Sequence, residues 1–176
     1  SAAMPTTISS DLGTVTIESF DSRYTWFATV NNVNPAAPII KVATVFKRKF
    51  TPGEEHVYRS VHGSSGAPTG DTSIDNLATA LVLTEDQVLV VWDPANEPRP
   101  IIQEGSFLFD PTPDAPANSG RYGLQWYGIE AVTGERTSGS LRYVVVTLDQ
   151  PVVNQAKDGV MGRAMFIRGL IDVYQL

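Results

Sequence analysis

The chain has 176 residues, 42% of them hydrophobic and 18% charged, with no Cys. That length suits one domain with a buried core, and 7 Phe, 6 Tyr and 3 Trp are too many aromatics for a disordered chain. The lack of Cys excludes a disulfide scaffold, a Cys-ligated zinc site and thiol catalysis, and a net charge of −6 argues against a dedicated nucleic-acid or membrane-surface binder.

Ser1–Met4 read as a vector-derived remnant ahead of a native Met, leaving 5–176 as a single β-sandwich domain. No basic start leading into an apolar stretch follows, and no run approaches the ~18 apolar residues that a membrane span needs. A Cys-free chain of this kind points to a soluble protein of the cytoplasm or of a virion.

Period-two alternation then dominates. Val15 and Ile17 alternate with Thr14, Thr16 and Glu18. Tyr24, Trp26, Ala28 and Val30 share one strand face, with Thr25, Phe27 and Thr29 on the other. Ile40, Val42, Thr44 and Phe46 continue the pattern until Thr51-Pro52-Gly53. Further strands are expected at His56–Val61, Gln87–Trp92, Ile101–Phe109, Gly123–Val132, Leu141–Leu148 and Arg163–Tyr174. Turn pairs such as Asn34-Pro35, Asp93-Pro94, Asp110-Pro111, Thr133-Gly134 and Asp158-Gly159 separate them. The expectation is eight to ten strands.

One segment departs from this period. Ile74, Leu77, Ala78 and Leu81 follow helical spacing, and Asp71, Thr72 or Ser73 can cap the start, so a short helix is expected over 74–82. The loops Gly63–Thr72 and Asp110–Gly120 are long, the second stiffened by three prolines. The fold class expected is all-β, a two-sheet antiparallel β-sandwich of jelly-roll type with that one helix. So many strands must remove their edges by a sandwich or a closed barrel, and the unequal loops favour the sandwich.

Four groups of residues invite a chemical reading. A Ser-His-Asp arrangement needs His, and His56 and His62 lie roughly 20 Å apart on one face of an extended strand. Glu54 or Glu55 with His56 and one distant carboxylate could make a metal site, but the favoured reading of both histidines is as solvent-facing residues of an edge strand. The carboxylate pairs Asp110/Asp114 and Asp93/Glu97 border prolines and read as turn residues rather than as a glycosidase pair. Lys47-Arg48-Lys49, with Lys41 nearby, reads as a solvated edge that deters aggregation. Gly134–Gly139 lacks the lysine and the helix of a phosphate loop and reads as a hairpin connection. No cofactor motif is present.

The most suggestive stretch is Tyr122–Glu130. Tyr122, Leu124 and Trp126 share one strand face, while Gln125, Tyr127 and Ile129 share the other. Aromatics on both faces suggest that one face meets a sugar or a protein, helped by Asp110, Asp114, Asn118 and Arg121. The bland alternative is a buried core strand with a polar tip.

In architecture the chain resembles a single jelly-roll virus coat or spike domain. The likeness rests on the strand count, the helix at Ile74–Val82, the Pro-rich loops after Trp92 and Phe109, and a closing strand at the C-terminus. It implies self-assembly into a homo-oligomer and contact with a protein or glycan receptor. The chain lacks a coat protein's basic N-terminal arm, so no nucleic-acid partner is expected. Three readings follow. The first is a non-catalytic coat-type or surface-projecting domain working by self-assembly or recognition. The second is a carbohydrate-binding module or lectin using Trp126 or Tyr127. The third and least favoured is a hydrolase of unknown type.

Overall fold

The computed structural model describes residues 6–10, 13–17, 24–31, 39–46, 55–62, 69–112, 124–152 and 161–176. They form twelve strands and one helix. In chain order these are β1 (Thr6–Ser10), β2 (Gly13–Ile17), β3 (Tyr24–Asn31), β4 (Ile39–Phe46), β5 (Val57–His62), α1 (Thr72–Leu81) and β6 (Gln87–Trp92). There follow β7 (Phe107–Asp110), β8 (Gln125–Val132), β9 (Arg136–Ser138), β10 (Leu141–Leu148), β11 (Gly162–Met165) and β12 (Leu170–Gln175).

Antiparallel pairing carries the main sheet through β6-β5-β11-β7-β8-β10, and β10 then pairs back onto β6 from Arg142↔Trp92 to Thr147↔Gln87. The six strands thus close into a barrel. This departs from the expected two-sheet sandwich, and β10 is the reason. One of its edges binds β6, while its other edge is divided between β9 at Leu141–Tyr143 and β8 at Val146–Leu148. A second sheet, β12-β4-β3, stands apart from the barrel's hydrogen bonding, and β1 pairs with β2 in a hairpin.

Alternation along each barrel strand sends one set of side chains inward and the other outward. The inward set, including Tyr58, Val90, Trp92, Leu108, Tyr127, Val146 and Ala164, draws on all six strands and fills the interior. The outward residues meet two covers. Leu89, Val91, Tyr143 and Val145 pack against α1, and Phe109, Trp126 and Met165 pack against β3, β4 and β12. Helix, barrel and sheet therefore make a three-layered stack. Burial on both faces explains why β6 reads as the unbroken run Val-Leu-Val-Val-Trp, all five residues buried.

The helix follows its sequence signals closely. Asp71 caps it, its side chain accepting hydrogen bonds from the Ser73 and Ile74 amides at 3.0 and 3.3 Å. Ile74 is fully buried, with Leu77, Ala78 and Leu81 beside it on the same stripe. Val82, at φ 50°, ends the helix in the left-handed region.

Three strand expectations need correction. The single strand expected over Arg163–Tyr174 is two, because Gly169 at φ 74° turns the chain out of the barrel and into the second sheet. The strand expected over Ile101–Phe109 shortens to β7, since Gly105 at φ 76° makes a turn in which the Ser106 amide donates to the Gln103 carbonyl. The connection Gly134–Gly139 contains β9. The sequence reading also passed over β1.

Gly162 lets β11 approach β5. A Cβ there would lie 2.6 Å from the Ser60 carbonyl oxygen, 2.8 Å from Ser60 Oγ and 3.2 Å from His62 Nε2. Backbone cannot yield as a side-chain tip can, so Gly162→Ala is expected to cost roughly 1–3 kcal/mol in urea denaturation. Gly134→Ala, which meets nothing within 4 Å, is the control and should stay within about 0.5 kcal/mol of the parent.

Candidate functional site

The aromatic residues singled out on β8 are buried on both sides of the barrel wall. Tyr127 is 1% exposed and belongs to the barrel interior, while Trp126 is 2% exposed and faces the second sheet. Phe109 and Phe27 pack on the Trp126 ring at centroid distances of 4.6 and 5.7 Å. The indole Nε1–H donates to Thr29 Oγ1 at 3.0 Å, and Lys41 Nζ reaches the Trp126 carbonyl at 3.4 Å. Neither ring offers a face to a sugar in solution. Tyr122, Arg121, Asn118 and Asp114 lie outside the described residues, as do Glu54 and the basic run Lys47–Lys49.

Asp110 is fully buried, and its partners mark it as a turn residue. Its Oδ1 accepts from the Thr112 amide at 2.9 Å and from the Thr112 hydroxyl, whose oxygen in turn accepts from the Arg163 amide at 2.9 Å. Inside the barrel, His62 Nε2 approaches Asp110 Oδ2 at 3.6 Å, each side chain 1% exposed. Ser60 lies on the same inward face of β5. The expectation of solvent-facing histidines on an edge strand fails here, because β5 is flanked by β6 and β11 and alternation sends His62 inward. Ser60, His62 and Asp110 are all buried on the inner side of the wall. The cluster is a polar plug at one end of the barrel.

The opposite end is open. There β5 begins, β11 ends and the segment 98–101 passes, leaving a cleft of about 350 Å³. Tyr58 forms its floor, with His56 edge-on at 4.5 Å and Phe166 tilted at 6.0 Å between ring centroids. Arg99, Arg168, Ile101 and Glu55 line the rim. Burial raises the Tyr58 hydroxyl above its ordinary value, the nearby Arg168 charge opposing and the Glu97 charge adding to the rise. Glu97 braces the wall. It accepts from the Asp93 amide at 2.6 Å and from Arg59 at 2.9 Å, and stands 3.6 Å from His56 Nε2. Asp93 and Glu97 thus act as the turn residues their sequence suggested.

Sequence reasoning missed this cleft because its residues come from three separated segments. The one available signal was His56 and Tyr58 two apart on a strand. Among the described residues no three His, Asp or Glu side chains are placed to hold a metal ion, and no helix is long and apolar enough to cross a membrane.

A different surface lies on the second sheet. Phe27, Ala43, Val45 and Val173 pack towards the barrel, so alternation turns Tyr24, Trp26, Val30, Val42, Phe46 and Tyr174 away from it. Tyr24, Val30 and Tyr174 are 40%, 47% and 54% exposed. Asp172 is the single carboxylate among the described residues of that face, and it pairs with the Tyr174 hydroxyl, raising that hydroxyl above its ordinary value. Compared with protein-family models, curated proteins and solved structures, the chain matches none.

Two outcomes test these assignments. Trp126→Ala should destabilise the fold by about 3–5 kcal/mol in chemical denaturation, a cost that a surface ring would not carry. The Asp93 carboxyl is held below its ordinary 3.8 by the Ala95 amide, then by the Asn96 side chain. Its contribution to the 93–97 turn is therefore present above that pH and lost as pH falls below it. An acid titration followed by NMR should show the Ala95 amide losing its hydrogen-bonded shift over that window, and Asp93→Asn should abolish the transition.

Proposed function

We propose that this protein acts by association rather than by catalysis, joining copies of itself through the outward face of β12-β4-β3. One observation carries the reading, the aromatic and nearly uncharged character of that face. A chain with a net charge of −6 repels its own copies over most of its surface, and repulsion is weakest where a single carboxylate lies. A second copy presents the same apolar surface, so the two satisfy each other in a two-fold, self-complementary contact. Burying an exposed aromatic or a large aliphatic side chain contributes about 1.5–3 kcal/mol. Among the described residues β12 lies at the other edge of the sheet from β3, where the sheet can continue into a neighbour.

This is the behaviour of a coat-type or surface-projecting domain. The packing of the β7-β8-β11 wall against β12-β4-β3 supports that likeness, since it keeps the face-to-face contact of a β-sandwich within a fold whose main sheet is closed.

Light scattering coupled to size-exclusion chromatography tests the reading. The parent chain should elute as a defined oligomer at about 10–100 μM, and Tyr174→Lys or Val30→Lys should shift it to the monomer mass while near-ultraviolet circular dichroism shows the fold retained. A parent that stays monomeric across that range overturns the proposal, as does an oligomer that neither substitution disturbs.

A further inference from the structure

The cleft at the open end of the barrel has features that self-association does not use. It is formed by residues before β5, the start of β5, the segment 98–101 and the end of β11, none of which belongs to the outward sheet face. Its volume, about 350 Å³, lies in the range of small-ligand sites and holds about one sugar ring.

Its chemistry is graded from floor to rim. Tyr58 and the half-buried Phe166 give an apolar base on which a ring can stack. Arg168 is exposed at one side, close enough for its charge to act on the Tyr58 hydroxyl. Arg99 stands on the rim with its Nε 2.8 Å from Glu135, so its position is set before any ligand arrives. Arg99, held by Glu135, and Arg168 bring two guanidinium groups to an opening that also carries Glu55, so an anion is recognised there by directed hydrogen bonds rather than by an excess of positive charge. Glu55 adds an acceptor on the same rim, which suits a hydroxyl donor and disfavours a second anionic group. The wall behind His56 is braced by Glu97, which holds both Arg59 and the Asp93 amide. A prearranged wall lowers the ordering cost of binding.

We propose that this cleft binds an acidic sugar, with the carboxylate at Arg168 and Arg99, the ring on Phe166 and Tyr58, and a hydroxyl donating to Glu55. The site is distinct from Trp126 and Tyr127, whose rings are buried. It is also independent of the association face.

Calorimetric titration with glucuronate, glucose and inorganic phosphate tests the assignment. Glucuronate should saturate with a Kd of about 1 mM or tighter, while glucose and phosphate should each bind at least about tenfold more weakly. Arg168→Gln should weaken glucuronate by about tenfold or more, and Arg99→Gln, further out on the rim, should weaken it less. Near-ultraviolet circular dichroism checks that each variant keeps its tertiary packing. Should either variant lose its fold, the glucuronate-to-glucose ratio on the parent chain still decides. Equal binding of glucuronate and glucose, equal binding of phosphate, or a folded Arg168→Gln with unchanged affinity each overturns the proposal.

Discussion

The pairing of β10 with β6 is the constraint from which the other features of this protein follow. It closes six strands on themselves and removes the barrel's edges. A closed wall of so few strands has an interior wide enough only for side chains, so every wall strand must supply an apolar inner face. The outer face then has to be covered as well, because α1 and the second sheet are packed on it. Strands buried on both faces carry almost no charge, as Val88–Trp92 and Tyr143–Val146 illustrate. The polar chemistry is displaced to the barrel's two ends and to surfaces beyond its covers.

Trp126 joins two of those layers. Its ring fills the space between the wall and the second sheet, and its one donor is satisfied by Thr29 across the gap. Thr29 Oγ1 in turn lies 3.5 Å from the Lys41 carbonyl, and Lys41 Nζ returns to the Trp126 carbonyl. The loop of contacts matters because an indole N–H left without a partner at this depth would cost its full desolvation. Burial lowers the Lys41 pKa, with Asp149 pulling the other way. A depressed lysine favours the folded state more as pH rises through that value, so this ammonium is tolerated rather than stabilising at neutral pH. Its aliphatic stem lies along the layer while its head finds a carbonyl.

How far the sequence disclosed this can be argued residue by residue. β6 and β10 are found where their β-branched apolar runs and the flanking turns place them, and α1 starts at the cap its Asp71 announces. Those signals are local, set by neighbours within one element. Closure is not local. Nothing in Leu141–Leu148 says that its two edges serve three partners, so an open sandwich and a barrel remain equivalent on periodicity alone. The same limit governs Trp126 and Tyr127. Alternation correctly assigned them to opposite faces but could not say that both faces are covered, and two buried sides then look like one buried and one exposed. His62 was misplaced for the related reason that β5 was taken for an edge. Gly169 was a legible signal overlooked, since a glycine after Arg168 within a long apolar strand marks a bend.

The two ends of the barrel show how one closed wall produces opposite environments. Where Gly162 faces Ser60, the missing side chain lets β11 and β5 come together, and the room left is filled by His62 and Asp110. Their polar atoms are taken from water, and Thr112 fixes Asp110 so that the set is held in one arrangement. Three residues along β5 from Ser60, at Val57↔Met165, the same two strands part towards solvent. Tyr58 and Phe166 form the base of a cleft there, and residues 98–101 pass beside it. The result is an aromatic hollow with guanidinium groups at its lip, built from the same pair of strands that seal the other end. The swap of a glycine for aromatic rings along one strand pair thus separates a plug from a cleft.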